Sequence, residues 1–194
     1  MSKTAKFDRQ EVINKATNLY WKNGFHATSM RHLQEEVDMR PGSIYAAFGN
    51  KDGLFKETLK NYTDMGLAQI ANSRRNTKSP IAALKNFVKS VVIESQKTAP
   101  NGMCMLAKTI AELTDEHEEL IQVTKGYLRE IECALKNLIE EAQSQGEINQ
   151  DTDPSYLASH VQIQIAGLRF YAKTNNDKGK LESMIDEMFK HYPF

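Results

Sequence analysis

The residues best equipped to do chemistry sit close together in one stretch, Met39 to Phe55, MRPGSIYAAFGNKDGLF. Arg40, Ser43, Tyr45 and Lys51 bring two cations and two hydroxyls around a Pro41-Gly42 pair. No base stands beside a nucleophile in this set, and the combination suits anion binding. Proline at the first position of a helix forfeits no hydrogen bond, and its fixed φ favours the helical turn. Gly42 carries no side chain, so a large surface can approach the helix start closely. The hydroxyl of Ser43 and the free amides there can bond phosphate oxygens, with the helix dipole favouring the negative charge. Lys51, at the start of the next helix, can clamp a phosphate as a point charge. Arg40, Ser43 and Tyr45 then face a major groove or its rim, while Ile44 and Phe48 pack inward.

The other reactive groups are sparse. Cys104 lies in PNGMCMLAKTIAEL at a helix start and has two readings. It is either a small buried apolar residue beside Met103 and Met105, or a thiolate activated by the helix terminus and nearby cations. Cys133, in the middle of LREIECALKNLI, reads as structural. The acid-histidine clusters DEHEE and DEMFKHY lack the Glu-x-x-His spacing of a di-iron bundle, and no glycine-rich phosphate loop occurs. No catalytic residue, metal site or cofactor is therefore expected. Met103, Met105, Tyr127, His160, Gln164 and Phe170, with Met65, are candidates to line a pocket between helices, although methionines at helical spacing also make ordinary core.

These groups must be positioned by helices, because apolar residues recur at helical spacing and no alternating strand pattern is sustained. Phe7-Asp8-x-x-Glu11-Val12 reads as a capping box opening a helix to Asn23, with Gly24 ending it. Thr28 or Ser29 caps a second helix whose Met30, Leu33 and Val37 point inward. Asp38-Met39 is the turn, 41–48 the third helix, and Asn50 caps a fourth reaching about residue 75. A helix of about 18 residues follows Ser79-Pro80, and others cover Met103–Leu113 and Asp115 to about Gly146. Two more cover about 154–173 and 178–191, separated by Asn175–Gly179. The expected architecture is all-α with about nine helices.

Net charge is zero, but residues 1–56 carry +3 and the remainder −3. A basic head on an acidic body suits a module that touches phosphate at one end. The opening MSKTAKFDRQ holds no apolar run and no window approaches a bilayer span, so a cytoplasmic protein without membrane contact is expected. Two cysteines are too few for a disulfide framework.

The segment FHATSMRHLQEEVDMRPGSIYAAFGNKDGLFKETL resembles the TetR family of bacterial transcriptional regulators. The shared pattern is Gly24, Thr28-Ser29, Tyr45, Phe48, Lys51 and Leu54, spread over the first third of the chain. Asp38 stands where glycine is usual, Arg40-Pro41 replaces a Ser-Lys, and Ala46-Ala47 replaces an aromatic-His pair. The last two departures bear on base preference. The resemblance implies a DNA-binding domain over 1–50, with its helix-turn-helix at about 29–48 and helix 4 at about 50–75 as the link. An effector-binding and dimerisation domain is implied over 51–194. Thr28, Ser29, Ser43, Tyr45 and Lys51 would position the head on phosphates, Arg40, Gly42 and Ala46 or Ala47 would lie nearest base edges, and Pro41 belongs to the same DNA-binding surface.

The same resemblance implies a homodimer through the helices at about 154–173 and 178–191, bound to an inverted-repeat operator. YLASHVQIQIAGLRFYA is apolar almost all round, as a helix buried between its own core and a second subunit would be. The Gly-x-Cys start, Ala111-Glu112 and Lys173 resemble members in which such a cysteine senses electrophiles or oxidants, although Met103 here separates glycine from Cys104. The function implied is a repressor released by a small-molecule or electrophilic effector. The alternative is a helical adaptor that binds protein and has no DNA affinity.

Overall fold

The computed structural model describes residues 7–175, 177–190 and 194, and all regular structure among them is helical. Helix α1 spans Arg9–Asn23, and the carboxylate of Asp8 caps it by accepting from the amides of Gln10 and Glu11. The reciprocal half of the expected capping box is missing, since Glu11 reaches forward to Lys15 at 2.8 Å. Gly24 ends α1 with φ 93° and ψ 176°, a conformation open to glycine alone. Helix α2 covers Met30–Val37. Its C-cap Asp38 adopts the left-handed conformation (φ 51°, ψ 48°), as expected of an aspartate standing in for glycine. Helix α3 follows at Pro41–Phe48 and α4 at Lys51–Arg75, the latter capped by Asn50 through the amide of Gly53 at 2.7 Å.

The body begins with α5, Pro80–Lys89, which passes through a π turn at Ser90–Glu94 into α6, Ser95–Thr98. One rod therefore covers the helix expected after Ser79-Pro80. Helix α7 is Met105–Glu112, starting two residues later than the spacing suggested because Asn101 Oδ1 accepts from the Met103 amide and Cys104 stays extended. Asp115–His117 form a 3-10 turn, so α8 begins at Glu118 and runs to Ser144. Helices α9, Pro154–Thr174, and α10, Lys178–Met188, complete the chain; the expected extension to residue 191 lies outside the described residues. With α5 and α6 taken as one rod, nine helices are seen among the described residues. None of them is long and apolar enough to cross a membrane.

Two apolar cores form. The body core joins α5, the π turn, the second half of α8, α9 and α10 around Leu84, Val92, Leu135, Ile139, Val161 and Ile185. The head core gathers Ala16, Tyr20, Leu33, Ile44, Leu54 and Phe55, and it also takes in Met105, Leu106, Leu113, Leu120 and Ile121. Helix α7 and the start of α8 thus complete the head. The head does not close its core from α1–α4 alone.

Candidate functional site

Helix α3 rests on Ile44 and Phe48, both buried, so the register of these two residues turns the rest of the helix outward. Arg40, Pro41, Gly42, Ser43, Tyr45 and Ala46 are all exposed, forming a polar ridge around the N-terminus of α3. Arg40 is the N-cap residue but makes no side-chain cap. The amides of Ser43 and Ile44 both donate to the Arg40 carbonyl, at 3.0 and 3.2 Å, which leaves Gly42 as the amide open to an outside acceptor. A Cβ added at Gly42 would meet no atom within 4 Å. Ser29 caps α2 through the His32 amide at 3.2 Å, and His32 Nδ1 accepts from the Ser29 amide in return.

Two residues expected on this surface are committed inward. Thr28 is fully buried, and its hydroxyl donates to the Gly24 carbonyl at 2.6 Å, tying the turn after α1 to the start of α2. Lys51 donates to the Phe25 carbonyl at 2.7 Å and lies 4.1 Å from the Phe25 ring centroid. Partial burial lowers its pKa from the ordinary lysine value, against the pull of Asp52 and Glu112. Both side chains fix the loop between α1 and α2: the Thr28 hydroxyl is buried there, and Lys51 spends one of its three donors on it. From sequence their type and spacing matched a phosphate contact, but their orientation depends on the loop they close.

The body holds a cavity of about 170 Å³ between α1, α4, the π turn, α7, α8 and α9. Its walls are mainly apolar, and Cys104 lines it as the N-cap residue of α7. Of the eight residues expected at an effector site, Cys104 is the one on this wall. The structure corrects the other seven. Met105 is buried in the head core, and Tyr127 packs against that core. Met103 turns its carbonyl to the indole of Trp21 at 2.7 Å. His160 stands against Phe194, Gln164 is not among the cavity's lining residues, Phe170 is 63% exposed, and Lys173 reaches Asn101 Oδ1 at 3.4 Å. Helical spacing had put them on the right elements but could not choose which side of each helix faced inward. Met65 does line the cavity, while Cys133 is exposed on α8.

Residues not singled out from sequence matter more here. Arg169 is 6% exposed on α9, and its guanidinium lines the cavity. Its Nε donates to the Val91 carbonyl in the π turn at 2.9 Å, and its Nη1 donates to the Tyr62 hydroxyl at 3.3 Å. A charge inside the otherwise apolar IAGLRFYA was the available signal. Burial pushes the Tyr62 hydroxyl far above the ordinary tyrosine pKa, so it stays protonated. Trp21 from the head forms another wall, packed edge-on against Tyr62 at 4.9 Å.

Helix α7 connects this cavity to the head through charged groups that grip main chain. At its middle, Lys108 donates to the carbonyls of Lys22 (3.0 Å) and Trp21 (3.4 Å), the last carbonyls of α1. At its end, the Glu112 carboxylate accepts from the amides of Phe25 (3.0 Å) and His26 (2.7 Å). These two residues, four apart on one face of α7, bracket Gly24 from both sides.

Comparison with known proteins agrees with this geometry. Residues 12–58 match the family described as bacterial regulatory proteins, tetR family, and residues 80–188 match the tetracyclin repressor-like C-terminal domain. The HTH-type transcriptional repressor ComR of Escherichia coli is 27% identical over 189 residues, covering 96% of this chain and 90% of its own. An uncharacterised HTH-type transcriptional regulator of Bacillus subtilis, YezE, is 24% identical, with 96% of each chain covered. Among solved structures, a cysteine mutant of the TetR family regulator CifR, complexed with 26-bp operator DNA, shares the fold. Its TM-score is 0.86 at 23% identity, covering 98% of this chain and all of that one. A regulator from Cytophaga hutchinsonii gives 0.83 at 18% identity, covering 94% and 91% of the two chains. The two matched regions together span most of the sequence, head and body alike, and the chain belongs to the TetR family of bacterial transcriptional regulators.

Proposed function

We propose that the protein is a cytoplasmic, homodimeric repressor that holds an inverted-repeat operator through the exposed ridge of α3 and leaves it when an effector occupies the body. The observation that carries the DNA-binding part is the ridge itself: Arg40, Gly42, Ser43 and Tyr45 are exposed around a helix start with one uncommitted amide. Ser29, Ser43, Tyr45 and the Gly42 amide position the head on phosphates, while Arg40 reaches a base edge. The DNA-binding unit is residues 1–50, with α4 as the link, and 51–194 carry effector binding and dimerisation. No catalytic role belongs to this reading.

The dimer is supported by α9 and α10. Tyr156, Ile163, Ala166, Gly167 and Phe170 share one exposed face of α9, and Met184 is exposed on α10. A stripe of this size on two long helices is a subunit contact in search of its copy. Two such heads would engage half-sites about one DNA turn, roughly 34–36 Å, apart. The effector enters the cavity beside Arg169, or reacts with the Cys104 thiol on its wall. Either event releases DNA only by favouring one dimer geometry over the other.

The test is footprinting of the DNA upstream of the protein's own gene, with the wild type and with Arg40→Ala. A protected inverted repeat is expected, and Arg40→Ala should weaken binding about tenfold or more while relaxing one position in each half-site. Absence of any salt-sensitive protection would overturn the reading in favour of a protein-binding adaptor.

Gly42 gives an independent check. Alanine there meets no atom of the protein and is the better helix former, so Gly42→Ala should raise stability by about 0.5–1 kcal/mol. Its methyl would stand between the helix start and the DNA backbone, so operator affinity should fall. Thermal melting and operator titration on the same sample check the two halves, and equal operator affinity would show that Gly42 faces no DNA.

A further inference from the structure

The cavity carries a charge that has no counter-ion among the described residues. Arg169 is buried and shares the cavity wall with Phe87, Leu106, Leu128, Ile131, Leu135 and Ile165, and among the described residues no carboxylate pairs with it. Desolvating a guanidinium is costly, and an aliphatic side chain would fill the same space without that cost. Of its five N–H donors, Nε and one on Nη1 are used, by Val91 and Tyr62, and Nη2 makes no hydrogen bond among the described residues.

The neutral polar groups around it are already engaged. Gln69 donates to Ser90 Oγ at 2.7 Å, Ser95 to the Val91 carbonyl at 2.6 Å, and Gln162 to the Leu128 carbonyl at 3.1 Å. Arg169 is the charged donor on this wall with bonding capacity to spare, beside the protonated Tyr62 hydroxyl. The rest of the wall accepts hydrocarbon. An apolar cavity of about 150 Å³ takes a benzene ring, and this one measures about 170 Å³.

We propose that the effector is a small apolar monocarboxylate, its carboxylate held by the Arg169 guanidinium and the Tyr62 hydroxyl and its ring or short alkyl chain lying against the apolar wall. The fork of the guanidinium matches a carboxylate, and the surrounding low polarity strengthens the pair. Trp21 and Cys104 on the same wall place the bound molecule against α1 and the N-terminus of α7, the two elements that carry the head. This assignment rests on the regulator reading above and names the chemistry of its ligand.

The experiment titrates the full-length protein by calorimetry with benzoate and hexanoate, and with benzamide and hexanamide as their uncharged counterparts. At least one carboxylate should bind about tenfold or more tighter than its amide, and quench or shift the fluorescence of Trp21, the single tryptophan. Arg169→Met should abolish the preference for the acid. Should that variant fail to fold by circular dichroism, Ala107→Leu, which narrows the cavity and keeps Arg169, should weaken acid binding and Trp21 quenching together. The proposal is overturned if folded wild-type protein binds none of the acids, binds acid and amide equally, or keeps its acid preference in Arg169→Met or its full acid affinity in Ala107→Leu. Operator binding of the ligand-free protein is measured in parallel. Its absence overturns the regulator reading, whereas loss of acid preference overturns the ligand assignment alone.

Discussion

Gly24→Ala is expected to destabilise the protein by about 2–4 kcal/mol and to lower its thermal midpoint by about 5–15 °C. Two causes add. The backbone at Gly24 has φ 93° and ψ 176°, where an L side chain is strained by roughly 1–3 kcal/mol. An added Cβ would also run into the Glu112 carboxylate, with the carboxyl carbon 2.9 Å away. Glu112 can rotate aside, but it then releases the amides of Phe25 and His26. Circular dichroism melting checks the magnitude, and a midpoint within 2 °C of wild type, or about that, would show that the turn relaxes freely. In a Glu112→Ala background the steric part disappears, so the two substitutions should be less than additive.

Glu112→Ala should have its larger effect on DNA. It leaves two main-chain amides without their acceptor, costing about 1–3 kcal/mol for the partly buried Phe25 amide and less for the exposed His26 amide. More importantly, it removes the grip of α7 on the loop that orients α2 and α3. A head free to tilt populates the DNA-competent geometry for a smaller fraction of the time, and apparent affinity falls by that fraction. About tenfold weaker operator binding is expected, together with a blunted effector response, in a protein that is still folded and dimeric. Glu112→Gln keeps an amide oxygen able to satisfy one of the two donors and should fall between. Unchanged operator affinity and effector response in Glu112→Ala would show that α7 does not transmit between cavity and head.

Much of the fold was legible because its signals are local. Asp8, Ser29, Asn50, Ser79 and Asp153 are all side-chain caps, and each starts a helix where the chain needs one. Pro41 likewise opens α3, and the exposed ridge follows from Ile44 and Phe48 being the inward pair. The sequence was mute where a group's role depends on a partner far along the chain. Lys51 and Thr28 have the right chemistry for phosphate, yet a carbonyl of the α1–α2 turn claims each of them. Glu112 acts 86 and 87 positions away from itself, and Arg169 acts on Tyr62 across 107. Such separations leave no periodicity to read. The π turn at Ser90–Glu94 was equally hidden, since its sequence SVVIE suits an α-helix just as well.

Three charged groups that join body to head, or α4 to the α1–α2 turn, end on main-chain atoms of residues 21–26: Lys108 on two carbonyls, Lys51 on one, Glu112 on two amides. Main-chain atoms are the same for all side chains. The turn can therefore accumulate substitutions at the exposed Lys22 and His26 without erasing the sockets, provided position 24 stays glycine and Phe25 keeps its place in the head core. The head's outer surface is in this way uncoupled, genetically, from the link that moves it. A lineage could re-address α3 to new operators while inheriting the same transmission intact, and the three anchoring side chains, not the turn they hold, are where inheritance must be strict.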